Sequence, residues 1–128
     1  MITLLDSSNL VARTLEPRLH SRLPAVGLEV FASYEPLRRR LSRMRGEGAI
    51  VILAVENRCQ LLRFRELQDL VGDLRLLLIL PDHEGETLRL GHRLYPRFIA
   101  YRDGDFDDVA AVVARMHARL SPAQKGDN

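Results

Sequence analysis

The sequence predicts an α/β domain, a (βα)5 three-layer sandwich built on a five-stranded parallel sheet in the order 2-1-3-4-5. Three observations carry that prediction. Short apolar runs recur along the chain, and between them the apolar spacing switches to the helical period. Two of the runs, residues 50–55 and 74–80, are apolar almost throughout, as strands buried on both faces are. The segments between strands are long enough for right-handed crossovers, and no internal repeat interrupts them. A sheet wound this way reverses direction between its first and third strands. Ligand sites of such sheets lie beyond the carboxyl ends of the strands at that point.

The elements follow in order. Residues 2–5 form a short apolar run ending at Asp6, the first strand, and Asp6-Ser7-Ser8-Asn9 supplies turn residues and helix caps. Leu10, Val11, Leu15, Leu19 and Leu23 recur at helical spacing, with Pro17 predicting a kink or a restart. Residues 28–32 read as a more exposed strand near an edge. Ser33 can cap the second helix, Pro36 fits its first turn, and Leu37, Leu41 and Met44 form its apolar stripe. Gly46 and Gly48 close it and lead into the central strand. Asn57 is placed to cap the third helix, where Leu61, Phe64, Leu67 and Val71 share a face that Leu62 and Leu70 widen. Gly72-Asp73 breaks that helix before the strand 74–80. After the loop 81–85 comes a weaker helix through Thr87, Leu88, Leu90 and Leu94, with Gly91 inside it and Pro96 ending it. Residues 98–101 make the fifth strand. Asp103-Gly104-Asp105 opens the last helix, striped by Phe106, Val109, Val113, Met116 and Leu120. Its acids fall in the first turn and Arg115, His117 and Arg119 towards the end, complementing the helix dipole. Residues 1–120 read as one domain and 121–128 as a flexible tail.

Composition narrows the function. With 128 residues, 46% of them apolar, the chain suits a single globular core, and no run reaches membrane-spanning length. A single cysteine, Cys59, excludes an internal disulfide and suits a reducing cytoplasm. A net charge of +2 and the absence of tryptophan argue against a nucleic-acid face or a base-stacking platform. The basic residues are nearly all arginine, a bias that composition drift explains. Neither GxGxxG nor GxxxxGK[ST] occurs, so no glycine-rich phosphate loop is expected.

By length, element order and hydrophobic pattern, ITLLDSS and AIVILAVEN resemble the first and third strands of a response-regulator receiver domain, within the broader flavodoxin-like architecture. The resemblance implies a pocket in which acids after the first strand hold Mg²⁺ and an aspartate after the third accepts phosphate. A hydroxyl after the fourth strand and a lysine after the fifth would complete it. Oxygen ligands suit the hard cation, the carboxylate attacks in line, and the lysine compensates the product's charge. At the matching positions this chain carries Asp6 with Ser7 beside it, Ala54 with Glu56 two residues on, Leu80-Pro81, and Tyr101-Arg102. Ala54 has no nucleophile. The resemblance therefore implies a cytoplasmic signalling domain that does not take phosphate, is not an enzyme, needs no cofactor or metal, and acts on a protein partner. In receivers the face of the fourth helix, fifth strand and fifth helix carries dimer and output contacts, which points to Tyr95, Arg97, Tyr101 and Arg102, and allows a homodimer there.

Asp6, Glu56, Asp82 and Asp103 follow four of the strands and could form a cation site, though caps and solvated loops use the same residues. His83 between Asp82 and Glu84 is the one local cluster suited to a metal or a base. Cys59 would be reactive near a helix N-terminus but is expected to pack in the core. The arginines from Arg38 to Arg45 read as a solvated face that could meet an acidic protein surface or phosphate. An alternative function is a small anionic ligand held at the strand carboxyl ends by helix N-termini and Arg102.

Overall fold

A computed structural model describes residues 2–6, 10–22, 28–31, 33–43, 49–70 and 74–120. Five strands alternate with five helices in these residues. In chain order they are β1 Ile2–Asp6, α1 Leu10–Arg22, β2 Leu28–Phe31, α2 Tyr34–Ser42, β3 Ala49–Ala54, α3 Arg58–Leu70, β4 Leu74–Leu80, α4 Gly85–His92, β5 Phe98–Tyr101 and α5 Phe106–Leu120. The strands form one sheet in the order β2-β1-β3-β4-β5, and every neighbouring pair is parallel.

β3 holds the centre because its side chains are apolar at both parities. Ile50 through Val55 are at most 1% exposed. Val51, Leu53 and Val55 face a layer made by Tyr34, Leu37 and Leu41 of α2, Leu61 and Phe64 of α3, and Leu90 of α4. Ile50, Ile52 and Ala54 face the opposite layer, made by Leu15 and Leu19 of α1 and Phe106, Val109, Val113 and Met116 of α5. β4 repeats the division, with Leu76, Leu78 and Leu80 on the first side and Leu77 and Ile79 on the second. Alternation of side chains across a strand thus sorts one continuous apolar run into two cores. Each fully buried aliphatic side chain contributes about 1.5–3 kcal/mol.

Local chemistry sets the element ends, with some departures from expectation. Asn57 caps α3, its Oδ1 accepting from the Gln60 backbone N–H at 3.2 Å. Asp105 caps α5, its carboxylate accepting from the Asp107 N–H at 2.9 Å. Ser33 occupies the N-cap of α2, but its hydroxyl makes no capping bond. α1 runs through Pro17 as one helix rather than restarting, and the proline ring faces solvent. Leu62 does not widen the buried face of α3; it is 55% exposed. β2 is an edge strand, and Val30 on it is 42% exposed. Gly91 has a reason to interrupt α4: a Cβ there would stand 3.3 Å from a Leu78 methyl, so the glycine lets helix and strand approach closely. Met44, Gly46, Gly48, Val71 and the tail 121–128 lie outside the described residues, as do the side chains of Leu67, Leu70 and Leu120.

Surface polar groups tie neighbouring elements. Tyr34, buried against Phe64, donates its phenol to Glu66 at 3.1 Å and lies beneath the Arg63 guanidinium. Burial, then the bond to Glu66, pushes that phenol up to about 12. Arg40 pairs with Glu29 and Arg38 with Glu35, so part of the α2 arginine face is neutralised by the chain's own acids. Among the described residues no helix is long and apolar enough to cross a membrane.

Candidate functional site

The carboxyl ends of β1, β3, β4 and β5 form one rim. Asp6 is the register partner of Ala54, so the end of β1 lies beside the end of β3. The Asp6 side chain and all of Ser7 lie outside the described residues. Ala54 is 1% exposed and belongs to the α1/α5 core. Val55 remains in the sheet, its N–H donating to the Ile79 carbonyl at 2.9 Å, and the chain reaches solvent at Glu56. Glu56 is bound through its backbone, whose N–H donates to Gln60 Oε1 at 2.6 Å.

Beyond β4 the loop is built by polar contacts that the sequence did not reveal. Asp82 accepts from the Glu84 N–H at 3.0 Å. The Thr87 hydroxyl, then that backbone N–H, hold the Asp82 carboxyl below the ordinary carboxylate range. Thr87 is fully buried on α4 and also accepts from Arg58 Nε at 3.0 Å, while Arg58 pairs with Glu84. Arg58, Thr87, Asp82 and Glu84 together clamp the start of α3 to the β4–α4 loop. Thr87 shares its stripe with Leu90, Gly91 and Leu94, and that spacing was the signal for its burial.

His83 does not cluster with Asp82 and Glu84. Its Nε2 lies 3.0 and 3.1 Å from the two carboxylate oxygens of Asp103, and its ring stacks on Tyr101 with centroids 3.8 Å apart. Both partners of this contact are well exposed, so it holds two loops together weakly. Among the described residues His83 has no hydroxyl or thiol within hydrogen-bonding distance, and no three His, Cys, Asp or Glu side chains converge to hold a metal. The three rim acids whose side chains are described, Glu56, Asp82 and Asp103, therefore do not assemble into a cation cage. Asp82 serves a turn, Asp103 serves His83, and Glu56 faces water.

Pro81 follows β4 half-buried, and Arg102 follows β5 with its N–H donating to the Leu80 carbonyl at 2.9 Å. The Arg102 Nη2 is buried and has no hydrogen-bond partner among the described residues. Of the four residues expected at a partner surface, Tyr95 is 82% exposed and Arg97 is exposed. Tyr101 is half-buried, packed against the α2/α3/α4 core and covered by His83, so it presents less surface than expected. Tyr95 also holds a left-handed backbone, with φ 52, where α4 turns towards β5. Phe98 and Phe106 pack in the α1/α5 core. Cys59 corrects an expectation: it is exposed in the first turn of α3 rather than packed.

No protein-family model and no curated protein matches the sequence significantly. Solved structures do. An orphan response regulator of Helicobacter pylori superposes with a TM-score of 0.67 at 15% identity, over 94% of this chain and 96% of that one. A response regulator from Burkholderia pseudomallei, solved with a phosphorylated aspartic acid, calcium and citrate, gives 0.67 at 15% identity over 94% of this chain and 74% of that one. The signal receiver domain of a modulated diguanylate cyclase from Desulfovibrio desulfuricans gives 0.59 at 18% identity over 99% and 97%. Together with the parallel sheet and its two helical layers, these likenesses establish that the chain has the fold of response-regulator receiver domains.

Proposed function

We propose that this chain is a receiver-like domain of intracellular signal transduction that acts through protein contacts and not through aspartyl phosphorylation. Ala54 carries the reading. It ends the central strand where a receiver would present its phosphoacceptor, and its side chain is a methyl group sealed in the α1/α5 core. Glu56 is the nearest carboxylate along the strand exit, and it lies two residues further on in solvent. Pro81 supplies no hydroxyl after β4, and the Arg102 guanidinium stands in for lysine without an anionic acceptor to serve. Nothing in this set performs an in-line displacement, so no enzymatic activity is assigned.

Signal output would then depend on a surface. The edge formed by α4, β5 and α5 presents Tyr95 and Arg97, an aromatic ring and a guanidinium of the kind that anchor protein interfaces. The alternative of a small anion at the strand ends draws support from the unpaired Arg102 Nη2, but Glu56, Asp82, Glu84 and Asp103 crowd that rim with negative charge.

Two measurements test the proposal. Incubation with acetyl phosphate and Mg²⁺, followed by intact mass, should show no phosphoryl adduct; a stable Mg²⁺-dependent adduct overturns it. Affinity capture with the parent chain and with a Tyr95→Ala/Arg97→Ala variant should recover a signalling protein with the parent alone. Equal recovery by both would remove this face from the proposal.

A further inference from the structure

We propose that an arginine-lined pocket at the amino-terminal end of the sheet, opposite the strand-end rim, binds a small ligand carrying two or more phosphates, of the nucleoside di- or triphosphate class. The pocket has a volume of about 350 Å³ and is lined by Arg75, Arg97, Phe98, Val112, Arg115, Met116 and Arg119. Arg75 enters from the start of β4, Arg97 and Phe98 from the entry to β5, and the other four from α5.

Among the described residues the charge of this pocket is uncompensated. Four guanidiniums line it and, among the described residues, no carboxylate does. None of the four has a side-chain hydrogen bond or ion pair among the described residues. Arg18, Arg38, Arg40, Arg58 and Arg89 all pair with acids elsewhere on the surface. Cations at the end of α5 complement the helix dipole, which accounts for Arg119. It does not account for Arg75 and Arg97, which come from strands on the facing layer. Arg115 and Arg119 are also one helical turn apart, a like-charge spacing that weakens a helix unless an anion bridges it.

The chemistry selects the ligand. A guanidinium presents a planar fork of donors that matches phosphate oxygens bidentately. Four forks therefore suit two or three linked phosphates better than one. Phe98, Val112 and Met116 supply an apolar wall for an uncharged ring. The volume falls in the range of small-molecule sites, roughly 300–1,000 Å³.

The test is calorimetric titration of the full chain with ATP, GTP and pyrophosphate at about 0.15 M salt, where long-range surface attraction is screened. We expect saturable binding by at least one nucleotide, with pyrophosphate competing. Arg75→Ala/Arg119→Ala should weaken it by about tenfold or more, since charge-assisted bonds of this kind are worth that much. Arg39→Ala, which removes an exposed arginine on α2, should leave affinity unchanged. Arg75→Lys/Arg119→Lys keeps the charge and should bind between the two, with an unchanged thermal melt showing that the fold survives. Absence of binding at millimolar nucleotide overturns the proposal. So does equal affinity in the parent and the double alanine variant, which would mark diffuse attraction only. Displacement of nucleotide by neither pyrophosphate nor excess phosphate, with an acidic peptide competing instead, would assign the pocket to a protein and also overturn it.

Discussion

An acid at position 54 should destabilise the domain in a pH-dependent way. Ala54→Asp places a carboxyl group at a site 1% exposed, within a cluster of Leu15, Leu19, Ile52, Ile79 and Val109. The register partner across the sheet is Asp6, so no cation is supplied from that strand. Burial raises a carboxyl pKa by up to about 3–5 units, and each unit is worth about 1.36 kcal/mol. Taking about 3 units above an unfolded value near 3.9, the ionisation penalty is about 1.5 kcal/mol at pH 5 and about 4 kcal/mol at pH 7. The sign follows from proton binding. Between the unfolded and the raised folded pKa the folded state holds the extra proton, so stability falls as pH rises. Against a typical stability of about 5–15 kcal/mol, the loss at pH 7 is a large share. Urea unfolding by far-ultraviolet circular dichroism suits a protein with no tryptophan, and the gap between variant and parent midpoints should widen from pH 5 to pH 7. An equal midpoint at both pH values, together with Mg²⁺-dependent phosphoryl uptake by the variant, would refute the reasoning. It would mean that the end of β3 opens to a solvated, cation-holding pocket.

Three further outcomes are expected. Thr87→Val deletes the buried hydroxyl shared by Arg58 and Asp82, and should cost about 1–3 kcal/mol in urea unfolding at pH 7. Because Asp82 is held below its ordinary pKa, its contribution is complete above the ordinary carboxylate value and is lost as pH falls through the lowered one. The variant, without the main cause of that lowering, should lose less stability than the parent as pH falls below the ordinary carboxylate value. Tyr95→Gly relieves a left-handed backbone that costs an L-residue roughly 1–2 kcal/mol, and Tyr95 is 82% exposed, so little burial is lost. The variant should melt higher, by a calorimetric shift equivalent to about 1 kcal/mol. Cys59 should react fully with a disulfide reagent such as Ellman's in the native protein, without denaturant.

The frame of the domain was legible because it rests on one-dimensional signals. Residues 50–55 and 74–80 advertise strands buried on both faces, and the stripes of α2 and α5 keep the helical period without a break. Ala54 could be placed because the strand around it has a single plausible register. Cys59 and Leu62 were misjudged because hydrophobic type was weighed above angle. Each lies well off the direction that Leu61 and Phe64 define, and each is exposed. The site contacts were hidden for another reason. His83 with Tyr101 and Asp103, Arg58 with Thr87, and the four pocket arginines join segments that only the sheet order brings together. An arginine bias read as composition becomes an electrostatic feature once three elements converge.

The place of β1 inside the sheet has a consequence for synthesis. β1 is made first, yet it must be flanked by β2 on one side and by β3, pairing Ile2 with Ile50, on the other. Until β3 has left the ribosome, β1 can have only its parallel β2 neighbour and keeps one edge of backbone donors and acceptors open. Parallel pairing between distant segments is slow to nucleate, so the open edge of β1 stays exposed to wrong pairing until β3 arrives. Release of β3 is the step that closes the edge.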